Sequence, residues 1–418
     1  MAEIKESLAV LVSIAERTAD LDECNISLDE LERLLDTAGG KCFAKMVQVK
    51  DTFDPRTCIG KGKVAEIKEL CQANGINLVV FDFELSPMQI RNLEADIGDV
   101  AVIDRSMLIL DIFALHAVSR EGKLQVELAQ LKYSAPRLTG KGVELSRQGG
   151  GIGSRGPGES KLETDRRHLH ERVVSLEGKL RELEENRVTM RAARDRSGIC
   201  KIALVGYTNA GKSTLLNKIT GSDVLCADKL FATLDPTTRK IDMPSGREVL
   251  FTDTVGFIRK LPHHLVKAFK STLDEVRLAD LLLVVSDAND PEVPKHLKVT
   301  ATIIDELGAA ERPIIYVYNK CDRLTSAAYG RQNENTVAIS AKTGEGIDDL
   351  LSVIDEFINR FNKRVRLLIP YTEQGIVNQL YKSYTVESCD YKDNGIEIIT
   401  VLDERGRGQY KAYLVGEI

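Results

Sequence analysis

Eight residues, GYTNAGKS from Gly206 to Ser213, restrict what this chain can fold into more than any other stretch. They fit G-x-x-x-x-G-K-[ST], follow the apolar run KIALVG and precede STLLNKI, which has helical spacing. The glycines let backbone N–H groups close around an anion, and the helix behind adds the positive end of its dipole. Lys212 is placed to bring charge to the outer phosphates, and the Ser213 hydroxyl to ligate Mg²⁺. Such a loop sits at the end of a parallel strand, so the segment predicts a doubly wound, mostly parallel α/β domain.

Three further strings follow in chain order, each after a strand-like run. DTVG, Asp253 to Gly256, comes after VLF. Asp253 is expected to hold magnesium through water, and Gly256 to offer its N–H to a γ-phosphate. NKCD, Asn319 to Asp322, ends IIYVY. A carboxylate there accepts from guanine N1–H and its exocyclic amine and rejects adenine, which lacks that donor pair. Asn319 would brace the loop and Lys320 would lie along the base. SAK, Ser340 to Lys342, follows TVAI, and the Ala341 N–H is a candidate donor to guanine O6. Each string alone is weak. Four in this order imply a GTP-hydrolysing domain, with strands at 249–252, 281–286 and 314–318 and a helix over 347–361.

The flanking segments read differently. Residues 1–137 alternate: a strand over 43–49, a helix over 63–73, an apolar run at 77–81, a helix over 87–95, a strand at 100–103, then helical spacing from 105 to 131. This predicts an N-terminal α/β domain. Residues 139–158 hold eight of the chain's 31 glycines, which leaves no regular element there. From 159 to 196 a proline-free stretch carries an apolar stripe, Val173, Leu176, Leu180, Leu183 and Met190, as in a helical hairpin or coiled coil. Beyond 365, a strand at VRLLI, a helix over 372–381 and strands at 396–401 and 410–415 predict a small α+β domain. The expected divisions are 1–137, 138–198, 199–362 and 363–418.

Eight cysteines are scattered without a C-x-x-C pair, and no run of 18 apolar residues occurs, so a cytoplasmic chain is expected. IGKGK, Ile59 to Lys63, is a second glycine-lysine string before a helix but lacks P-loop spacing. It is either another phosphate site or a strand-to-helix turn.

GYTNAGKSTLLN, LFATLDPTTR, FTDTVGFI, NKCD and SAK, with IGKGKVAEI, DRSMLILDIFA, ELAQLKY and GGGIGSRGPGESKLETDRR upstream, resemble the HflX family. This is a branch of the Obg–HflX group of translation-factor-related P-loop GTPases, and the resemblance covers nearly the whole chain. It places the nucleotide on Gly206, Tyr207, Thr208, Asn209, Ala210, Gly211, Lys212 and Ser213. It adds Phe231, Ala232, Thr233, Leu234 and Asp235 from the first switch, and Asp253, Thr254, Val255 and Gly256 from the second. Asn319, Lys320, Cys321, Asp322, Ser340, Ala341 and Lys342 complete the set. Lys212, Thr233 and Gly256 carry the catalytic expectation, and Ser213 and Thr233 the metal, with Asp253 through water. For the switch threonine, Thr237 or Thr238 is the alternative, capping a turn after Pro236.

Where Ras-like enzymes place a water-orienting Gln, this chain has Phe257. A phenyl ring cannot hold a hydrolytic water, so intrinsic turnover should be slow and a partner or another loop must complete the site. His263 and His264 lie nearby in sequence, and solvated loop histidines are the simpler reading.

The net charge of −6 argues against indiscriminate nucleic-acid binding, yet it is uneven. Residues 139–198 carry +3 and the remainder −9. Arg147, Arg155, Lys161, Arg166 and Arg167 frame the glycine stretch, and a loop of this type can thread an RNA groove. The resemblance implies binding to the large (50S) ribosomal subunit and its rRNA near the peptidyl-transferase centre, with dissociation or rescue of stalled ribosomes. It also leaves room for weak peripheral membrane association and a monomeric state. The competing expectation is a GTP-dependent switch whose partner is a protein or membrane complex.

Overall fold

A computed structural model describes residues 4, 6–138, 157–195, 199–221, 230–231, 234–260, 262, 270–324, 329–361, 363–384, 386–402 and 404–417. The chain forms two compact units. One joins Met1–Leu183 with Ala227–Asp235 and Gly256–Thr272; the other joins Glu184–Cys226, Pro236–Val255 and Leu273–Ile418.

The first unit begins β1 (Leu8–Ala15), α1 (Leu21–Thr37), β2 (Lys41–Val49), α2 (Lys61–Asn74), β3 (Leu78–Phe81), α3 (Pro87–Ile97) and β4 (Ala101–Asp104). Its sheet is wholly parallel in the order β2-β1-β3-β4. The apolar run near the N-terminus, LAVLVSIA, is therefore a central strand. Val10, Leu11 and Val12 are all fully buried, because helices cover both faces and no alternation is needed. Local chemistry sets the helix starts. Ser86 and Gln89 form a reciprocal capping box ahead of α3, with Pro87 in the first turn. Asp104 caps α4 (Arg105–His116) by accepting from Met107 N at 2.9 Å.

The helical stretch after β4 is two helices, α4 and α5 (Arg120–Leu138), and the long one expected downstream is α6 (Pro157–Asp195). Ion pairs Arg172–Glu127 at 2.6 Å and Lys132–Glu177 at 2.7 Å tie α6 to α5, and Leu176 from the apolar stripe is fully buried. Leu176 thus serves an intramolecular helix pair, while Val173, Leu180 and Leu183 are half-buried and the Met190 side chain lies outside the described residues.

In the second unit a seven-stranded sheet has the order β10-β11-β9-β8-β5-β7-β6. Its elements run β5 (Cys200–Gly206), α7 (Lys212–Thr220), β6 (Thr237–Asp242), β7 (Glu248–Asp253), α8 (Lys270–Arg277), β8 (Leu281–Asp287), α9 (Val293–Glu306), β9 (Ile314–Asn319), β10 (Gly330–Asn333), β11 (Thr336–Ala338) and α10 (Ile347–Phe361). Only the edge strands β6 and β10 are antiparallel. Ile202, Leu204, Leu283, Val285, Ile315 and Val317 are buried to within 1% along the three central strands. The doubly wound fold expected from the P-loop is the fold observed.

The chain ends in an antiparallel sheet, β13-β14-β12-β15, from β12 (Lys363–Ile369), β13 (Val386–Lys392), β14 (Gly395–Leu402) and β15 (Leu414–Glu417), with α11 (Gly375–Ser383) and α12 (Glu404–Gln409). Its helix starts later than expected because Tyr371–Glu373 form a 3₁₀ turn, and Lys411–Tyr413 likewise displace the last strand. β13 escapes a reading from pattern because it is a polar edge strand with no buried residue. No described helix is long and apolar enough to cross a membrane.

One polar cluster interrupts the first unit's apolar core. Asp82, fully buried after β3, accepts from Arg105 Nη1 at 2.7 Å, and Glu30 pairs with Arg105 Nη2. A buried cation stripped of its carboxylates costs far more than the intact pair contributes. Asp82→Leu should therefore cost about 3–5 kcal/mol, read as a fall in the chemical-denaturation midpoint.

Candidate nucleotide site

The P-loop leaves the centre of the seven-stranded sheet at the carboxyl end of β5. This is where doubly wound sheets open a ligand crevice, because the strands on either side connect in opposite directions. Gly206 has φ +144°, and a Cβ there would lie 2.2 Å from the Val285 carbonyl oxygen, so only glycine lets β5 pass β8 so closely. Gly211 has φ +93°, and its Cβ would meet the Asn319 amide nitrogen at 2.2 Å. Asn209, the exposed tip, also takes the left-handed conformation.

Lys212 is buried, and its Nζ donates to the carbonyls of Gly206 at 3.1 Å and Tyr207 at 3.0 Å. Burial pulls its pKa down to about 8, against an upward pull from Asp253. Ser213 Oγ donates to Asp253 Oδ2 at 2.5 Å, and Asp253 ends β7 fully buried. Thr254 Oγ1 donates to the Leu204 carbonyl, stapling the chain after β7 to β5. A hydroxyl and a carboxylate at one sheet edge form an oxygen donor set of the kind hard divalent cations take.

The base-side strings converge on Asn319. Its Nδ2 donates to the Ala210 carbonyl at 2.9 Å, and its Oδ1 accepts from Ala341 N at 2.9 Å. The Ala341 N–H, the candidate donor to guanine O6, is thus bonded to the brace that ties NKCD to the P-loop. Ser340 Oγ donates to Asp322 Oδ1 at 2.7 Å and orients that carboxylate. Cys321 is buried and Lys342 exposed.

Motif reading missed three supporting residues. Lys320, at φ +65°, pairs through Nζ with Asp287 at 2.7 Å, and Asn289 Nδ2 donates to the Lys320 carbonyl at 2.8 Å. Burial pushes the Asp287 carboxyl up, but the Lys320 and Asn289 bonds prevail and hold it lowered. The imidazole of His296 stacks on the Tyr207 ring, centroids 3.7 Å apart and 13° from parallel, and lies 3.3 Å from Asp290. The sequence cue was LLLVVSDAND, where acidic and amide residues cluster at the carboxyl end of a parallel strand.

Of the first-switch residues, Ala232 and Thr233 lie outside the described residues, as do His263 and His264. Phe231, Leu234 and Asp235 place their side chains within the first unit. Asp235 accepts from Val118 N at 3.0 Å and Ser119 N at 2.7 Å and from the Ser119 hydroxyl, holding the N-terminus of α5. The Phe231 ring meets Phe113 edge-on at 4.8 Å, and Leu234 is buried. Thr237 and Thr238 do not cap a turn: both lie in β6, and the Thr238 hydroxyl is bonded to that of Thr252.

At IGKGK, the Gly60 N–H ahead of α2 is taken by Gln48 Oε1 at 2.9 Å. This favours the strand-to-helix turn over a second phosphate site. Arg166 and Arg167 are exposed on α6, while Arg147, Arg155 and the Lys161 side chain lie outside the described residues.

Four domain families match in sequence: GTP-binding GTPase N-terminal over residues 25–114, GTP-binding GTPase Middle Region over 116–194, 50S ribosome-binding GTPase over 201–320 and HflX C-terminal domain over 325–408. The GTPase HflX of Caldanaerobacter subterraneus subsp. tengcongensis is 49% identical over 390 residues, 93% of this chain and 90% of that protein. The chain belongs to the HflX family. Lacrimispora saccharolytica GTPase HflX is 45% identical over 95% of this chain and 94% of its own length, and that of Escherichia coli 44% over 88% and 87%. A GTP-binding protein from Sulfolobus solfataricus, solved in complex with GDP, aligns with 85% of this chain and 99% of its own at 25% identity and a TM-score of 0.45. The family expected from the motifs is the family found, and the chain is a GTPase.

The buried Lys212 generates a pH dependence. Its pKa is depressed, so its charged form is disfavoured in the free protein and restored by an adjacent phosphate. GDP binding should take up protons near pH 8, and affinity should fall as pH rises through that value. Calorimetry in buffers of different ionisation enthalpy checks this, and Lys212→Met should abolish the uptake.

Proposed function

We propose that the chain is a ribosome-associated factor that binds the 50S subunit when loaded with GTP and dissociates or rescues stalled ribosomes. The observation that carries this reading is the match of residues 201–320, the P-loop through NKCD, to the family described as 50S ribosome-binding GTPase. The phosphates of GTP lie in Gly206–Ser213 with Lys212 neutralising their charge, and Gly256 N–H meets the γ-phosphate. Asp322 accepts from the guanine donors, and Lys320 lies along the base. Ser213 and Thr233, with Asp253 through water, would hold Mg²⁺, which would screen the phosphate charge.

The chain's own residues then explain slow chemistry. Phe257 is 1% exposed and carries no polar atom, so it orients no water. Catalysis of γ-phosphate transfer is mostly positioning and electrostatics, and the missing part has to arrive from outside. On this reading ribosomal RNA or protein completes the site, and loss of the γ-phosphate releases the factor. The factor acts as a monomer in the cytoplasm. The basic stretch around 139–167 supplies phosphate contacts that the acidic remainder does not.

Adding 50S subunits should raise steady-state GTP turnover at least tenfold, as expected when a partner supplies a missing catalytic group. Equal rates with and without subunits would exclude the ribosome as that partner. Charge reversal at Arg147, Arg155, Arg166 and Arg167 should weaken co-sedimentation with 50S particles and flatten its salt dependence, while GDP affinity stays unchanged.

A further inference from the structure

The first unit has a topological switch point of its own. β1 leads to β2 on one side and its neighbour β3 leads to β4 on the other, so the carboxyl ends of β1 and β3 are where such a sheet would hold a ligand. The residues gathered there are Ser13 on β1, Ser27 and Glu30 on α1, Asp82 after β3 and Arg105 at the start of α4. What they hold is chain from the second switch. Lys260 Nζ sits 2.6 Å from Asp82 Oδ2, and Arg105 Nη2 donates to the Arg259 carbonyl at 3.1 Å.

Charge explains the fit. Asp82 and Glu30 carry two negative charges against one on Arg105, and Lys260 restores neutrality around a fully buried carboxylate. Asp82 Oδ2 also accepts from Ser27 Oγ at 2.7 Å, so it keeps partners when the lysine leaves. The lysine itself is half-exposed and holds a left-handed backbone, φ +49°, that a non-glycine residue adopts only under constraint. Phe257, Ile258 and Arg259, between this latch and Gly256, are all buried.

We propose that Asp82 and Arg105 are positioning residues for GTP binding. They hold Arg259 and Lys260, four residues or fewer beyond Gly256, so that the second switch is already ordered when a γ-phosphate arrives. This rests on the reading of Gly256 as the γ-phosphate donor. A segment ordered in advance loses less freedom on binding, so the latch contributes to GTP affinity and not to GDP affinity.

Lys260→Met removes the charge, keeps the stem and leaves Asp82 bonded to Arg105 and Ser27. It should lower affinity for a non-hydrolysable GTP analogue about five- to tenfold and raise KM for GTP in parallel, with kcat changing less. GDP affinity should stay at the wild-type value, and Lys260→Arg should restore analogue binding. Unchanged or tighter analogue binding by Lys260→Met overturns the proposal, as does an equal loss for GDP. Gly256→Pro separates the two readings: normal analogue binding there removes the γ-phosphate role itself. Selective loss there, with no effect of Lys260→Met, removes only the latch.

Discussion

The nucleotide site hangs on one carboxamide. Asn319 is the last residue of β9, and its side chain spans from the Ala210 carbonyl in the P-loop to the Ala341 N–H after β11. Three loops from three strands are thereby fixed by one buried group that uses donor and acceptor at once. The close approach explains Gly211, whose missing Cβ leaves room for the amide. Lys212 depends on the same packing. Its burial keeps the ammonium folded back on two P-loop carbonyls, so it is held beside the loop it would serve. Charge stored without water around it interacts more strongly with an arriving anion than a solvated lysine would.

How much of this was legible follows from how local each feature is. The P-loop, DTVG, NKCD and SAK are consecutive residues whose geometry is set within a turn, and they identify themselves. The brace between Asn319 and Ala341 joins positions 22 apart, so the string SAK says that a loop is present but not which partner its N–H takes. β1 was hard to read for the opposite reason. A strand buried on both faces has no period, and LAVLVSIA carries only apolarity. Asp287 and His296 belong to no motif, since a strand-end carboxylate and a first-turn histidine gain meaning only from Lys320 and Tyr207 opposite them.

The charge balance reads differently once the buried groups are placed. Part of the acidity is internal: Asp82, Glu30 and Asp104 face Arg105, Lys260 and the Tyr133 hydroxyl and are not surface field. Arg166, Arg167 and Arg172 are by contrast exposed on α6, which makes the +3 of residues 139–198 count for more than its size suggests. A net charge is informative about partners only after the charges consumed by the fold are set aside.

The two switch-derived segments show how far local sequence can mislead. Phe231 and Lys260 are non-glycine residues in the left-handed region, at φ +56° and +49°. Each such residue costs about 1–3 kcal/mol and persists only where its surroundings over-determine it. Both occur where a segment bordered in sequence by the seven-stranded sheet is held by the N-terminal unit, Phe231 against Phe113 and Lys260 on Asp82. No propensity in FATLD or in FIRK asks for these conformations; the contacts impose them. Any rearrangement of either segment must therefore exchange aromatic packing, a helix-capping carboxylate or a buried ion pair for new contacts. Relief of backbone strain offsets part of that exchange, so the segments can leave their anchors at lower cost than the contacts alone would set.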